Sequence, residues 1–368
     1  MRVLLTGGAG FLGWHLRVRL RALADHEVAW VDRQSWPTLQ SALSGVDAVI
    51  HLAGINRAVD TELLDGNREL AEQVVAAAQA SGATPRLVYA NSIQADNDSP
   101  YGRGKAAASA VFADAARRWG TPFVDVLLPN LFGEHGRPGY NSFVATFVDR
   151  VVAGEPPTVE DRPISLLHAQ DAAASLIAGL EGETRVERPE GVPTTVQSVL
   201  DHLLRFKAAY ATGQIPMLAS PFELALFNTY RAALFPSAYP IAFTTHSDNR
   251  GWLVETARWF GGEGQTFVSV TKPGFTRGEH FHLRKIERFV VLAGTARIAL
   301  RKVDTDEVVV FDVSGDAPSA IDMPVGWIHN IRNVGDSDVL TQFWVNELFD
   351  PEDPDTFWEP VEPKEAAL

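Results

Sequence analysis

Thr6-Gly7-Gly8-Ala9-Gly10-Phe11-Leu12-Gly13 follows the short apolar run Val3 to Thr6 and opens a helix-patterned stretch. A strand that turns on glycines into a helix offers backbone N–H groups and the positive end of the helix dipole to an anion, where Cβ atoms would block its approach. Glycine-rich turns also serve plain chain reversal, so the weight of Gly7, Gly10 and Gly13 depends on the residues downstream of them. Asp32 ends the next apolar run, Val28 to Val31, 19 residues after Gly13. A carboxylate there can take the ribose hydroxyls of an adenosine, whereas the adjacent Arg33 can accept a 2′-phosphate. The residues alone therefore leave both NAD(H) and NADP(H) open.

Working outward, the alternation continues. Ala48 to Leu52, Leu87 to Ala90 and Val124 to Leu128 read as further strands, and Leu63 to Ala80 and Lys105 to Trp119 carry helical spacing between them. Strands separated by helices predict a parallel α/β sheet with crossover helices. After Gly251 the texture changes to close-set short strands, including Phe267 to Val270, Phe289 to Leu292 and Ala296 to Leu300, the mark of an antiparallel sandwich or barrel. The 368 residues thus divide into two domains, 1–245 and 246–368, with Phe235 to Pro240 as the junction. The acidic stretch from Asp350 to Glu365 reads as a solvated end.

Composition narrows the function. Forty-six acidic against 32 basic residues give a net charge of -14, which disfavours nucleic acid and anionic membrane surfaces as partners. No cysteine is present, so disulfides, thiolate metal sites and thiol nucleophiles are excluded. No segment approaches the roughly 20 apolar residues of a membrane span, and the apolar start is too short for a signal peptide, which predicts a cytoplasmic protein.

Two constellations carry chemistry. Tyr101 and Lys105 are four apart at the start of a helix, on one face, and residues 1–245 hold only two lysines. An ammonium beside a phenol is expected to lower the phenol's pKa toward that of a working proton donor, and Ser92, after the fourth strand, could orient a carbonyl beside them. In the second part, His280 and His282 alternate along a strand and so share a face, with Glu287 and His329 following in a stretch that holds three of the chain's ten histidines. Such a set suits a divalent zinc, nickel, iron or manganese ion.

Residues 1–180 resemble the extended short-chain dehydrogenase/reductases, through the glycine turn, His51-Leu52-Ala53-Gly54, Ser92, Tyr101 with Lys105, and Pro129-Asn130-Leu131-Phe132-Gly133. The resemblance implies a Rossmann domain that acts on a nucleotide sugar. Gly7, Gly10, Phe11, Leu12, Gly13, Asp32, Arg33, Leu52, Ala53, Gly54, Tyr101, Lys105, Asn130 and Leu131 would then touch the cofactor. It also implies that Tyr101 moves the proton of the sugar oxygen while nicotinamide exchanges hydride with its carbon. In His168-Ala169-Gln170-Asp171 the arginine usual four residues before the histidine is Ile164, and Arg162 is the candidate for the uridine end. The segments around His280 and His329 resemble the paired cupin motifs, which implies His280, His282, Glu287 and His329 as metal ligands, zinc being expected first.

The two resemblances in one chain are similar to the bifunctional CapF-type enzymes of capsule and O-antigen precursor synthesis. Shared words include Gly54-Ile55-Asn56-Arg57, Ser92-Ile93-Gln94-Ala95, Tyr140-Asn141-Ser142, Lys272-Pro273-Gly274 and Trp344-Val345-Asn346-Glu347. The resemblance implies a UDP-linked 2-acetamido-2,6-dideoxy-4-hexulose, epimerised at carbon 3 by the cupin domain and reduced at carbon 4 with NADPH in preference to NADH. Asn56, Arg57, Gln94, Arg162 and Lys272 are the substrate-side candidates, Lys272 also as a base, and a homodimer is expected. Two alternatives stand beside this one. One is a single-activity 4-ketoreductase with a structural, dimerising cupin; the other is a sensor that binds dinucleotide and sugar without turnover.

Overall fold

The computed structural model describes residues 1–23, 25–249 and 251–362. Contacts group Met1–Thr146 with Glu160–Val196 as one unit, and Phe147–Val159 with the chain from Gln197 onward as the other.

In the first unit, β1 (Arg2–Thr6), β2 (Glu27–Val31), β3 (Ala48–His51), β4 (Arg86–Ser92), β5 (Phe123–Leu128), β6 (Asn130–Phe132), β7 (Pro163–His168), β8 (Arg185–Glu187) and β9 (Val192–Thr195) alternate with helices. These are α1 (Phe11–Leu23), α2 (Leu39–Ala42), α3 (Asp60–Ser81), α4 (Pro100–Trp119), α5 (Phe143–Ala153), which crosses into the second unit, and α6 (Ala169–Ala178). The main sheet is parallel in the order β2-β1-β3-β4-β5-β8. Side chains alternate between its faces. Leu4, Val49, Leu87, Tyr89 and Phe123 pack with α2, α3 and α4, whereas Val3, Leu5, Ile50, Val88, Val124 and Val126 pack with α1 and α6. Each expected strand and helix is present, most of them a few residues longer than its apolar run. A small second sheet joins β6, β7 and β9.

The second unit carries α7 (Val196–Tyr210), which starts at the last residue of the first, and α8 (Pro221–Leu234), before the strands begin. These strands are β10 (Ile241–Ala242), β11 (Thr245–Asp248), β12 (Gly251–Val254), β13 (Gln265–Thr271), β14 (Thr276–Phe281), β15 (Glu287–Ala293), β16 (Thr295–Lys302), β17 (Val308–Ser314), β18 (Ser319–Met323), β19 (Trp327–Asn333), β20 (Val339–Val345) and β21 (Phe357–Trp358). Two five-stranded sheets, β10-β18-β15-β20-β13 and β17-β16-β19-β14-β21, share a core of Phe289, Ile298, Leu300, Ile321, Met323, Ile331 and Phe343. This is the expected all-β cupin architecture after an α/β Rossmann domain. Phe235 and Tyr239, in the stretch read as a junction, pack into this core, where the Phe235 ring lies 4.6 Å from that of Trp327. No helix among the described residues is long and apolar enough to cross a membrane.

One expectation is corrected here. The stretch from Asp350 is solvated only in part: residues 350–353 are exposed, whereas Asp355 is 2% exposed. Its carboxylate accepts from the backbone N–H groups of Leu283, Arg284 and Lys285 at 2.9 to 3.0 Å, and Arg284 donates to Asp353 and Glu347. The acidic residues close over a turn that would otherwise leave three donors unmet. Residues 363–365 of that stretch lie outside the described residues.

Candidate functional site

The glycine turn is packed to the limit. Gly7 has φ +73°, and a Cβ on it would fall 2.8 Å from the Ala53 nitrogen; one on Gly13 would fall 2.5 Å from the Gly8 carbonyl oxygen. Gly7 and Gly8 both donate to the Val31 carbonyl, which draws the turn across the ends of β1 and β2. Phe11 and Leu12 then open the 13-residue α1, with backbone N–H groups at its N-terminal end. Leu52 and Ala53 follow β3 beside the turn, the Leu52 nitrogen donating to the Thr6 carbonyl. At the end of β2, one oxygen of Asp32 accepts from Gln34, from the Ser35 nitrogen and from the Ser35 hydroxyl, which lowers its pKa and holds it as a carboxylate. Arg33 beside it is exposed. A cradle that no Cβ could enter, facing a fixed carboxylate, fits a dinucleotide.

Ser99 caps α4 by accepting from the Gly102 nitrogen at 3.0 Å, and Pro100 occupies its first turn. A Cβ on Gly102 would lie 2.1 Å from the Gln94 carbonyl, so glycine lets the helix press onto the segment after Ser92. That approach sets Ser92 beside Tyr101, which lies one turn before Lys105 on the same face of α4. Lys105 is 5% exposed; its Nζ donates to the Ala90 carbonyl at 2.7 Å and lies 4.1 Å from the centre of the Tyr89 ring. The expected lowering of the Tyr101 pKa is not what the site does. Burial raises it, against the Ser92 hydrogen bond, and burial also pushes Lys105 down to about 7. The reason is that Lys105 is desolvated on a carbonyl and a ring rather than displayed in water beside the phenol.

The substrate-side candidates are scattered. Asn56 accepts from the Tyr140 hydroxyl at 3.0 Å, and Arg57 donates to the Gly139 and Tyr140 carbonyls, so both hold the loop before α5. Gln94 is exposed one turn after Ser92. Asn130 and Leu131, candidates for the cofactor rather than the substrate, lie on β6, beside β7. Arg162 is exposed at the start of β7, where its carbonyl accepts from the Val196 nitrogen. Lys272 is exposed on the turn between β13 and β14.

In the second unit the four expected ligands meet. His280 of β14 pairs directly with His329 of β19, Glu287 comes from β15 of the other sheet, and His282 lies just past β14. One ligand atom from each lies within 4.8 Å of all the others. The His282 Nδ1 donates to the Asp355 carbonyl at 2.5 Å and the His329 Nδ1 donates to the Trp327 carbonyl at 3.0 Å. Each ring thereby turns its Nε2 toward Glu287, whose Oε2 lies 3.1 Å from both. Three imidazoles and one carboxylate converging in this way suit a divalent ion. Against burial, the three histidines hold Glu287 well below the usual carboxylate range; burial pushes His329 down to about 4.

Sequence reasoning missed the residues that aim these ligands. Asp355 orients His282 from 73 residues away. Glu279, at φ +66° in the bulge before His280, accepts from Asn330 and from the Val361 nitrogen. Trp358, 76% exposed, sits 5.3 Å from the His280 ring. Only the histidine spacing was visible in the chain; its supports have no motif.

A glycine turn feeding a Tyr–Lys helix on a doubly wound sheet defines a dinucleotide-binding reductase-type domain, here followed by a cupin-type unit with a histidine–glutamate cluster. Residues 3–190 match the NAD dependent epimerase/dehydratase family and residues 246–357 the polysaccharide biosynthesis C-terminal domain. The chain belongs to that NAD dependent family, among the CapF-type enzymes that join the two domains. It is 32% identical over 365 residues to the UDP-2-acetamido-2,6-beta-L-arabino-hexul-4-ose reductase of Pseudomonas aeruginosa, covering 97% of this chain and 98% of that one. The structure is similar to that of the capsular polysaccharide assembling protein CapF from Staphylococcus aureus, with a TM-score of 0.64, 34% identity, and 98% and 100% of the two chains covered. Over 119 residues, 30% of this chain and 79% of the relative, it is 25% identical to the spore coat polysaccharide biosynthesis protein SpsL of Bacillus subtilis.

Proposed function

We propose that the chain is a nucleotide-sugar enzyme that epimerises carbon 3 of a UDP-linked 2-acetamido-2,6-dideoxy-4-hexulose in its second unit and reduces the 4-ketone with NADPH in its first. The observation that carries the reading is the meeting of Ser92, Tyr101 and Lys105 on a dinucleotide-type sheet. Its supports are the reductase and CapF likenesses, which run over nearly the whole chain. A bound nicotinamide supplies the hydride for carbon 4. Tyr101 would give its phenolic proton to the developing oxyanion, Ser92 would hydrogen-bond the same oxygen, and Lys105, held on the Ala90 carbonyl one turn along α4, would touch the cofactor beside them. A divalent ion, zinc first, would polarise the 4-keto oxygen in the second unit. His280, His282, Glu287 and His329 would hold it there, and the proton on carbon 3, acidified by the ketone, could then leave and return from the other face. Reduction ends that acidity and fixes the stereochemistry.

Arg33, exposed beside Asp32, supports NADPH. The edge strand β13, with Phe267, Val268 and Val270 40 to 60% exposed, supports a homodimer through the second unit. A cytoplasmic site of action fits a cofactor and a sugar nucleotide made there. Tyr101→Phe is expected to cut NADPH oxidation with the 4-keto sugar by at least a hundredfold while NADPH binding is kept; unimpaired turnover would refute the reductive role. His282→Ala in deuterated water is expected to abolish deuterium entry at carbon 3 before reduction. Unchanged exchange would leave the second unit a structural, dimerising one.

A further inference from the structure

Asp125 stands where the strand alternation of β5 asks for an apolar side chain. Its neighbour on that face, Phe123, packs with Leu87, Tyr89 and Phe112 between the sheet and α3 and α4, whereas Val124 and Val126 point the other way. Asp125 is 7% exposed, so a carboxylate stands buried between the sheet and α4. A buried charge is costly unless it is paired and hydrogen-bonded. Its Oδ2 accepts from the Ser109 hydroxyl at 2.5 Å and from Asn91 Nδ2 at 3.1 Å, and its Oδ1 has no hydrogen-bond partner.

The surroundings of this carboxylate lead to the reductase site. Tyr101, Lys105 and Ser109 recur every four residues along α4, so all three lie on the face turned toward β4 and β5. Tyr89 is the cross-strand neighbour of Asp125, and its ring carries the Lys105 ammonium. Asn91 joins the carboxylate to Ser92, donating to Asp125 through Nδ2 and accepting from the Ser92 nitrogen at 2.8 Å through Oδ1. One connected line therefore runs Ser109, Asp125, Asn91, Ser92, with Lys105 beside it.

We propose that Asp125 is a positioning residue of the reductase site: its buried carboxylate supplies the negative charge that faces Lys105 and, through Asn91, fixes the backbone that carries Ser92. The proposal rests on the reductase reading. Burial takes Lys105 down to about 7, and Asp125 is the charge that opposes the fall. Burial raises Asp125 in turn, against the hydrogen bonds of Ser109 and Asn91 and the charges of Lys105 and Arg188. The other ionisable groups of this layer are the phenols of Tyr89 and Tyr101, and His51, which burial keeps neutral with a pKa of about 3.

Removing a negative charge lowers the pKa of every nearby group that carries a proton, so the sign is the same whether the limiting proton sits on Lys105 or on Tyr101. The chain has six lysines, which makes the titration of Lys105 readable by NMR of protein labelled at the lysine ε-carbon, the signal being assigned with Lys105→Arg. In Asp125→Asn, which keeps the side chain's size and an acceptor for Ser109, the Lys105 midpoint is expected to fall by about one pH unit. The alkaline limb of kcat/KM for NADPH-dependent reduction of a UDP-4-keto sugar is expected to move toward acid by the same amount, and Asp125→Glu to recover most of both shifts. An unmoved Lys105 midpoint in Asp125→Asn would overturn the proposal. A wild-type chain that reduces no such sugar would instead sink the reductase reading, and the NMR titration would still decide whether Asp125 holds the charge. Ser109→Ala strips one hydrogen bond from the carboxylate and is expected to move the midpoint the same way by less, which covers an Asp125→Asn chain that does not fold.

Discussion

Glu134 shows how much single buried groups set the behaviour of the first unit. Its Oε2 lies 3.2 Å from His168 Nε2 and 4.0 Å from His15 Nε2, with Glu134 1% exposed. Against its burial, the two histidines hold Glu134 down to about 2, and Glu134 in turn holds His168 above its ordinary 6.5. The Glu134 contribution to stability is complete above about 4.5 and lost as pH falls toward 2; that of His168 is complete below 6.5 and lost as pH rises through its raised value. Glu134→Gln should therefore cost about 3 kcal/mol between pH 4.5 and 6.5 and less at alkaline pH. Thermal melts of both chains across that range would show the gap narrowing upward; a gap independent of pH would mean that the pair is not charged. His168 stood out in the sequence as part of a His-x-x-Asp segment. Its partner did not, because the pairing is made across 34 residues by the return of β7 beside β6.

Among elements, the strap from Asp353 to Val361 has the clearest consequence. It runs from the carboxylate that caps Leu283, Arg284 and Lys285, through the carbonyl that orients His282, to β21 beside β14. Asp355→Gly keeps the positive φ of 41° and the carbonyl but removes the carboxylate. It is expected to cost about 2 kcal/mol and, if the proposed site takes zinc, to weaken that binding at least tenfold, because a second support that aims His282 is lost. Competition with a chromogenic chelator measures the affinity; unchanged zinc binding would show that the carbonyl alone aims His282. The strands that carry the ligands were legible from alternation, since His280 and His282 had to share a face. The strap was read as solvent-exposed because its acidic, proline-rich composition is that of a tail, and composition does not reveal a burial that three backbone donors bring about.

At the scale of a whole unit, α7 and α8 are tied to the β-sheets of their own unit through a buried ionic cluster. Arg288 and Asp322 are each fully buried and form a two-pronged pair at 2.6 and 2.8 Å, Tyr210 of α7 hydrogen-bonds Asp322, and Arg231 of α8 donates to the Met323 carbonyl. Arg288→Leu leaves Asp322 buried without its main partner and should destabilise this unit by about 3 to 5 kcal/mol, whereas Arg288→Leu with Asp322→Leu should recover much of the loss. In chain loaded with zinc at the proposed site, release of the metal during heating would report this unit; equal melting of the single and double variants would show that the pair is not coupled. The texture change near residue 245 marks where strands begin, but α7 and α8 precede it and supply this cluster. By itself, the sequence determined the order of the two architectures, the glycine turn, the Tyr–Lys helix and the shared face of His280 and His282, because each is a local pattern whose period or spacing is enforced by backbone geometry. Only the tertiary structure decided which way Tyr101 and Lys105 titrate, what aims the histidines, and that Asp125 lies buried beneath the reductase site. Those properties depend on burial and on partners tens of residues away, and desolvation is a property of the assembled core.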